Sequence, residues 1–405
     1  MTRTILVPLR VLTCALALAF AAHLPARADF NALPPEASGQ TPAFANQTRA
    51  PEIPARPRLS RTVLADGLQY PWGMALLPDG ALLMTERPGA LRIYRDGKLS
   101  APISGLPQVD NGGQGGLLDV AIAPDFARTR QIWFSFAEPR GERTNATAVG
   151  TAKLSADETS LTDMRVIFRQ EPAYESPLHF GSRLVFDRDG QLFVTTGDRS
   201  LPPEMPVSQD LGNDIGKVLR IDPATGAASA GNPFTDGNAR PEIWSYGHRN
   251  MQGAALDAQG RLWTVEHGPQ GGDELNQPQP GRNYGWPIIS YGENYDGKPI
   301  GKGLTAAKGM EQPVYYWDPV IAPSGMTFYQ GAMFPDWQGD LLIGGLRAGS
   351  LVRLKLQGDR VVGEQRLVEG IGRVRDVEVA PDGALLVLID ADPGQLIRLA
   401  RRGAP

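Results

Sequence analysis

The chain has 405 residues with 47 Gly, 35 Pro, 7% aromatic residues, a net charge of −4 and one cysteine, Cys14. An acidic balance without any basic run argues against nucleic acid or an anionic membrane surface as partner. A single cysteine excludes disulfides and thiolate clusters, so any metal is expected on oxygen or imidazole ligands.

In chain order, residues 1–28 read as an export signal. Arg3 and Arg10 are basic, 12–22 (LTCALALAFAA) is a short apolar run, and Ala26-Arg27-Ala28 supplies a small-x-small cleavage pattern. The apolar run is well short of the ~20 residues that span a bilayer. The expectation is an exported, periplasmic protein with no integral membrane segment in the mature chain. Residues 29–60 are Pro- and Ala-rich without a sustained period, as in an extended arm or linker.

From there one unit recurs: an apolar strand, a turn of the Pro-Asp-Gly type, and a second apolar strand. The copies are GMALLPDGALLMTE (73–86), LLDVAIAPDFARTRQIWFSFAE (117–138), SRLVFDRDGQLFVTTGD (182–198), GAALDAQGRLWTVEHG (253–268), GMTFYQGAMFPDWQGDLLIGGL (325–346) and RDVEVAPDGALLVLID (375–390). Asp-Gly between apolar runs is a strong hairpin signal, because the tight turn needs a positive φ that glycine accepts freely. Six hairpins with bare faces and edges predict an all-β six-bladed β-propeller over 61–402, with a β-sandwich or a pair of small barrels as the alternative.

In a propeller the loops entering the innermost strands converge on the axis at one face. VDNGGQGG (109–116), ESPLHFGSR (175–183), SYGHRNMQG (245–253), EHGPQGGDELN (266–276), IAPSG (321–325) and GIGRVRD (370–376) all flank the hairpins. Most of them set polar or charged groups beside glycines. His179 precedes the third hairpin, with Gln114, Arg249-Asn250, Arg373 and Arg375 at comparable places in other repeats. Alcohol oxidation needs a neutral imidazole to take the hydroxyl proton and fixed positive charge near a developing oxyanion. The period-two pair Arg373 and Arg375, with Arg347 and Arg249, could face one anionic ligand; solvated surface arginine is the competing reading. Asp273, Glu274, Asn276 and Asn283 crowd into 268–287 with several turn carbonyls, a composition suited to calcium or to an ordinary Asx-rich turn.

GQGGLLDVAIAPDF, HFGSRLVF, SYGHRNMQG, EHGPQGGDELN, NYGWP and RVRDVEVAPDG, in this order over roughly 60–400, resemble the soluble aldose sugar dehydrogenases that use pyrroloquinoline quinone (PQQ), within the glucose/sorbosone dehydrogenase family. Such enzymes are six-bladed propellers. The resemblance implies that His179 is the general base for the anomeric hydroxyl, with hydride passing to the C5 carbonyl of PQQ and a lactone as product. It places Gln114 beside cofactor and substrate, Arg249 and Asn250 at the quinone oxygens, Arg347, Arg373 and Arg375 at the PQQ carboxylates, and Tyr295 in the same pocket. It also implies that Gly268 and Pro269 offer carbonyl oxygens to a calcium ion at the quinone, and that Glu274 and Tyr284 bind a second, structural calcium. Relatives often carry lysine at the Arg347 position, so the contact there keeps its sign but changes shape.

Two other readings use the same loops. One is a calcium-dependent lactonase or related hydrolase, which gives no role to four arginines. The other is a non-catalytic carbohydrate-binding propeller. The physiological sugar and the downstream electron acceptor are not identified by these residues.

Overall fold

The computed structural model describes residues 29–54 and 57–403; the export signal read over 1–28 lies outside them. Within 29–33, Phe30–Ala32 form a single 3-10 turn, capped by Asp29, whose carboxylate accepts the Asn31 N–H at 2.9 Å.

Residues from Pro34 onward contain six four-stranded antiparallel sheets. The first blade is Pro71–Leu76, Leu82–Glu86, Ala90–Arg95 and Lys98–Leu99, and the second Leu117–Ile122, Gln131–Pro139, Asn145–Leu154 and Leu161–Arg169. The third is Leu184–Phe186, Leu192–Thr195, Lys217–Ile221 and Ile243–Tyr246; the fourth is Met251–Leu256, Leu262–Glu266, Asp273–Asn276 and Tyr315–Trp317. Pro323–Phe328, Leu341–Gly345, Ser350–Gln357 and Arg360–Leu367 make the fifth. The sixth joins Val374–Val379, Leu385–Ile389 and Gly394–Arg401 to the N-terminal strand Leu59–Leu68, paired in the register Ser60 to Ala400 and Val63 to Ile397. Pairing the two ends of the chain in one sheet closes the ring and removes an open edge. This is the six-bladed propeller expected from the repeats.

Each predicted hairpin is the inner strand pair of one blade. Four turns place glycine at positive φ, namely Gly80, Gly190, Gly260 and Gly383. In all four the aspartate of the turn accepts a backbone N–H two residues on: Asp79 from Ala81, Asp187 from Asp189, Asp257 from Gln259 and Asp382 from Ala384. The second and fifth copies make wider turns, through the short helix Phe126–Thr129 and the 3-10 segment Pro335–Trp337. Second strands such as Leu385–Ile389 are buried along their whole length because neighbouring blades cover both faces.

The innermost strands meet around Arg183, which donates to Asp119 at 2.9 Å and lies 3.3 Å from Asp376. Glycine faces these carboxylates for lack of room: a Cβ at Gly73 would lie 2.5 Å from the Asp119 carboxylate, and one at Gly325 only 1.7 Å from that of Asp376. Residues 34–54 run over the outer strands of the fourth and fifth blades. The Glu36 and Ala37 N–H groups donate to Asp318, the Ile53 N–H donates to the Glu364 carbonyl, and the Glu364 N–H donates to the Pro51 carbonyl. Among the described residues no helix is long and apolar enough to cross a membrane.

Candidate active site

His179 stands in the loop entering the third blade with its backbone in the left-handed region, φ 50°. Its own N–H donates to Gln114 Oε1 at 2.9 Å, and a Cβ at Gly197 would lie 2.1 Å from its carbonyl oxygen. The next turn is held by Asn250, whose Oδ1 accepts the Gly181 N–H at 3.1 Å. A bulky residue at positive φ persists only where its surroundings over-determine it, as three neighbouring loops do here.

The imidazole is 10% exposed, and its Nδ1 lies 2.6 Å from Asp198 Oδ1. Asp198 also accepts the Ser200 N–H and the Trp286 indole N–H, both at 2.8 Å. Burial pushes the Asp198 carboxyl up, but the His179 hydrogen bond and the charges of His179 and Arg249 hold it below the usual range. An ionised Asp198 requires the proton on Nδ1, which leaves Nε2 as a lone-pair acceptor. Burial, and then the positive charge of Arg249, push the imidazole pKa down, opposed by Asp198. The ring is therefore neutral and basic at one defined nitrogen.

Gln114, which accepts the His179 N–H, lines a cleft of about 230 Å³ together with Trp72, Arg87, Gly113, Gln252, His267, Ala322, Leu346, Arg373, Arg375 and Asp390; the His179 side chain is not part of its wall. Arg375 is buried, donating to Asp390 at 2.7 Å and to Gln252 Oε1 at 2.7 Å. Arg373 reaches the same Asp390 oxygen at 3.3 Å, its side chain 55% exposed at the mouth. Arg87 donates to the Gly113 carbonyl at 2.7 Å. Three guanidinium groups thus face a single carboxylate, and the Nε atoms of Arg87 and Arg375 are buried without a partner. Burying donors of this kind unpaired is costly, so the cleft is chemically matched to an anionic ligand rich in acceptors, such as a tricarboxylate quinone.

His267 lines both this cleft and a second, smaller space, whose wall also holds Arg249. The Arg249 side chain donates to the carbonyls of His267 and Gly268 at 2.9 and 2.8 Å, its plane lies 5.1 Å from the Trp286 ring, and its Nε is also orphaned. Gly268, Pro269, Glu274 and Tyr284 all line a cavity of about 10 Å³, together with Glu266 and Ser290. Glu266 and Glu274 both accept from the Asn276 amide nitrogen, at 2.9 and 3.0 Å. Burial and then Glu266 push the Glu274 pKa up to about 8. Crowded buried carboxylates beside main-chain oxygens form a donor set that fits a hard cation. The Tyr284 hydroxyl donates to the Gln277 carbonyl at 2.6 Å and accepts from Gln279, so only the main-chain oxygen of Tyr284 is available to such an ion. Among the described residues no group of three His, Cys, Asp or Glu side chains is arranged to hold a metal, so a cation bound here would draw much of its shell from main-chain oxygens.

Not every residue singled out in the sequence reaches the cleft wall. Asn250 is fully buried behind it, its amide nitrogen unpartnered. Arg347 extends to Glu36 of the N-terminal arm, with its side chain 58% exposed, while its neighbour Leu346 lines the cleft. Tyr295 is 76% exposed in the 293–299 loop. His248 is a packing group, buried between Glu266 and Ser245 and stacked on Tyr284. Burial pushes His267 down to about 3, and its Nε2 donates to the Pro323 carbonyl at 2.7 Å.

Arg87, Asp198 and Asp390 were not singled out as site residues from the sequence, yet a signal was present. Each follows the second strand of a hairpin: Arg87 and Asp390, like His267, stand one residue past that strand, and Asp198 three residues past it. Aligning the repeats by that end would have brought Arg87, His267 and Asp390 to one position.

The sequence profile of the Glucose / Sorbosone dehydrogenase family matches residues 68–398. The chain is 46% identical over 347 residues to Aldose sugar dehydrogenase YliI of Escherichia coli (strain K12), covering 84% of this chain and 92% of that protein. The crystal structure of the soluble aldose sugar dehydrogenase (Asd) from Escherichia coli in the apo-form superposes with a TM-score of 0.82 at 44% identity, over 85% of this chain and 100% of that one. The PQQ-bound form of the aldose sugar dehydrogenase (Adh) from Streptomyces coelicolor matches with a TM-score of 0.69 at 29% identity, over 85% and 99% of the two chains. With most of its length matched by the profile and by relatives this similar, the chain belongs to the glucose/sorbosone dehydrogenase family of oxidoreductases.

Proposed function

We propose that this protein oxidises aldose sugars at the anomeric carbon to lactones, with PQQ as cofactor and calcium as its metal partner. The observation that carries the reading is a neutral, Asp198-oriented imidazole joined through Gln114 to a cleft that holds three guanidinium groups, two of which, Arg373 and Arg375, share the Asp390 carboxylate. When bound there, PQQ supplies the hydride acceptor, and calcium held by main-chain oxygens near Gly268 and Pro269 supplies positive charge to polarise it. His179 Nε2 takes the proton of the sugar C1 hydroxyl. Asp198 keeps that nitrogen the acceptor throughout and stabilises the imidazolium as it forms. Arg375 and Arg373 hold cofactor carboxylates, with Arg87 at the mouth. Arg249 lends charge to the quinone edge while keeping the imidazole deprotonated beforehand. Gln114 positions both the His179 backbone and the sugar side of the cleft. Glu274 and the main-chain oxygen of Tyr284 serve a second cation, and Arg347 and Tyr295 approach the cofactor from the rim. The leader supports an exported, periplasmic location, with electrons passed on to an acceptor still to be identified.

Purified apoprotein is expected to oxidise aldoses in a dye-linked assay only after addition of both PQQ and Ca²⁺. Lactone hydrolysis without PQQ, or sugar binding without turnover, would replace this reading with the hydrolase or the binding propeller. The state of the base can be read separately. Because protonation would place a cation in a buried site beside Arg249, His179 in the apoprotein gives up its proton at lower pH than a free imidazole. Its ring resonances should titrate with a midpoint below ~6.5, moving upward when an anionic cofactor fills the cleft. A midpoint above that value would contradict the neutral-base assignment.

A further inference from the structure

One more guanidinium lies beneath the His179 loop and has no part in the reaction as described. Arg199 directly follows Asp198, is 0% exposed, and has a left-handed backbone, φ 60°. Its NH2 donates to the Ser176 carbonyl and to Asn145 Oδ1, its NH1 lies 3.5 Å from the His179 carbonyl, and its plane stacks 3.7 Å from the Phe180 ring centroid. Ser176 returns a hydrogen bond from its hydroxyl to the Arg199 carbonyl at 2.6 Å. The network continues through Asn145, whose amide donates to Asp110 at 2.8 Å; Asp110 in turn accepts the Gly112 N–H at 3.0 Å. That loop carries Gln114, which donates its N–H to Pro177 and accepts the N–H of His179.

No carboxylate is hydrogen-bonded to Arg199 among the described residues, and its Nε has no partner. A fully buried guanidinium satisfied mainly by neutral carbonyls is expensive to desolvate, and an apolar side chain stacked on Phe180 would fill the same space more cheaply. What an apolar residue could not do is tie Ser176, His179 and Asn145 to one rigid planar fork. Four non-glycine residues in these two segments sit at positive φ, His179, Ser182, Arg199 and Ser200, and backbone of that kind keeps its form only under such constraint.

We infer that Arg199 is a positioning residue for the base, clamping the His179 loop to the Gln114 loop and so setting where the imidazole points. The inference rests on His179 acting as the base. Its charge acts in the same direction: the groups influencing the imidazole are Arg249, Asp198, Arg199 and the neighbouring His267, and Arg199 adds to Arg249 in disfavouring protonation. Burial pushes the Arg199 pKa down to about 9, which leaves it charged at neutral pH.

The test compares Arg199→Met, Arg199→Lys and Asn145→Ala in the full chain, with PQQ titration, steady-state kinetics and His179 ring resonances in the apoprotein. Arg199→Met should lower kcat about 10- to 100-fold, the scale of a misplaced reacting group, with the PQQ Kd within about threefold of wild type. Its His179 midpoint should rise. Arg199→Lys should restore the midpoint but not the rate, because charge returns without the fork. Asn145→Ala should lower kcat less, at an unchanged midpoint. An Arg199→Met enzyme with kcat within twofold of wild type per folded molecule would overturn the inference. Should that variant fail to fold, an unchanged kcat in Asn145→Ala overturns it instead. The resonance titration needs no cofactor, so it separates this inference from PQQ-dependent oxidation: without wild-type turnover the proposed function falls, while an Arg199→Met midpoint equal to wild type removes Arg199 from control of the imidazole.

Discussion

His179→Ala is expected to lower turnover by about 10²–10⁴-fold, the usual contribution of a general base, while PQQ affinity stays close to wild type. The two effects separate because the imidazole contacts Asp198, not the arginines of the cleft. Removing it leaves Asp198 with two donors, the Trp286 indole and the Ser200 N–H. The buried carboxylate is then still hydrogen-bonded, and the structural cost stays near the ~1–3 kcal/mol of a lost buried partner. Stopped-flow measurement of the reductive half-reaction, alongside PQQ titration of the apoprotein, gives both quantities. Turnover equal to wild type would remove His179 from the mechanism.

Arg375→Ala should show the opposite pattern. This guanidinium is buried, bridges Asp390 and Gln252, and keeps an unpaired Nε. Its loss removes one of three positive groups and leaves Asp390 with Arg373 alone. Truncating one partner of a buried charged pair costs ~2–5 kcal/mol, and at 1.4 kcal/mol per decade even the lower part of that range raises the PQQ Kd by at least about 30-fold. At saturating PQQ, kcat should recover most of its value, because the base is untouched. Arg375→Lys should fall between, keeping charge without the fork that serves two acceptors. Denaturation midpoints are needed beside the titration, since a buried Asp390 that loses its nearer guanidinium partner also destabilises the fold. Unchanged affinity at unchanged stability would show that the cofactor carboxylates lie elsewhere.

The propeller was legible because its signals are local. Asp-Gly turns between apolar runs, as at Asp79-Gly80 and Asp382-Gly383, demand a hairpin whatever surrounds them, and six hairpins without helices leave few ways to bury their faces. His179, Gln114, Arg249, Arg373 and Arg375 stood out because they break the polarity of those hairpins at one end. The missed residues did not break it: Asp198, Arg87 and Asp390 read as ordinary strand ends, and Arg199 as one more surface arginine. Arg347 and Tyr295 stand apart from the cleft wall: the arm residue Glu36 engages the first, and the second stands in solvent.

Local chemistry along the chain therefore determined the blades, their number, the face at which polar loops gather, and the acid–base and charge types available there. Which of those groups meet was decided only by closure of the ring, which sets Asp198 against His179 and Trp286, and Asp390 beneath both Arg373 and Arg375. Pairings between residues far apart in the chain, such as Trp286 with Asp198 and Arg375 with Gln252, follow from blade order and twist. A side chain carries no record in the sequence of which neighbour the turn of the sheet will bring to it.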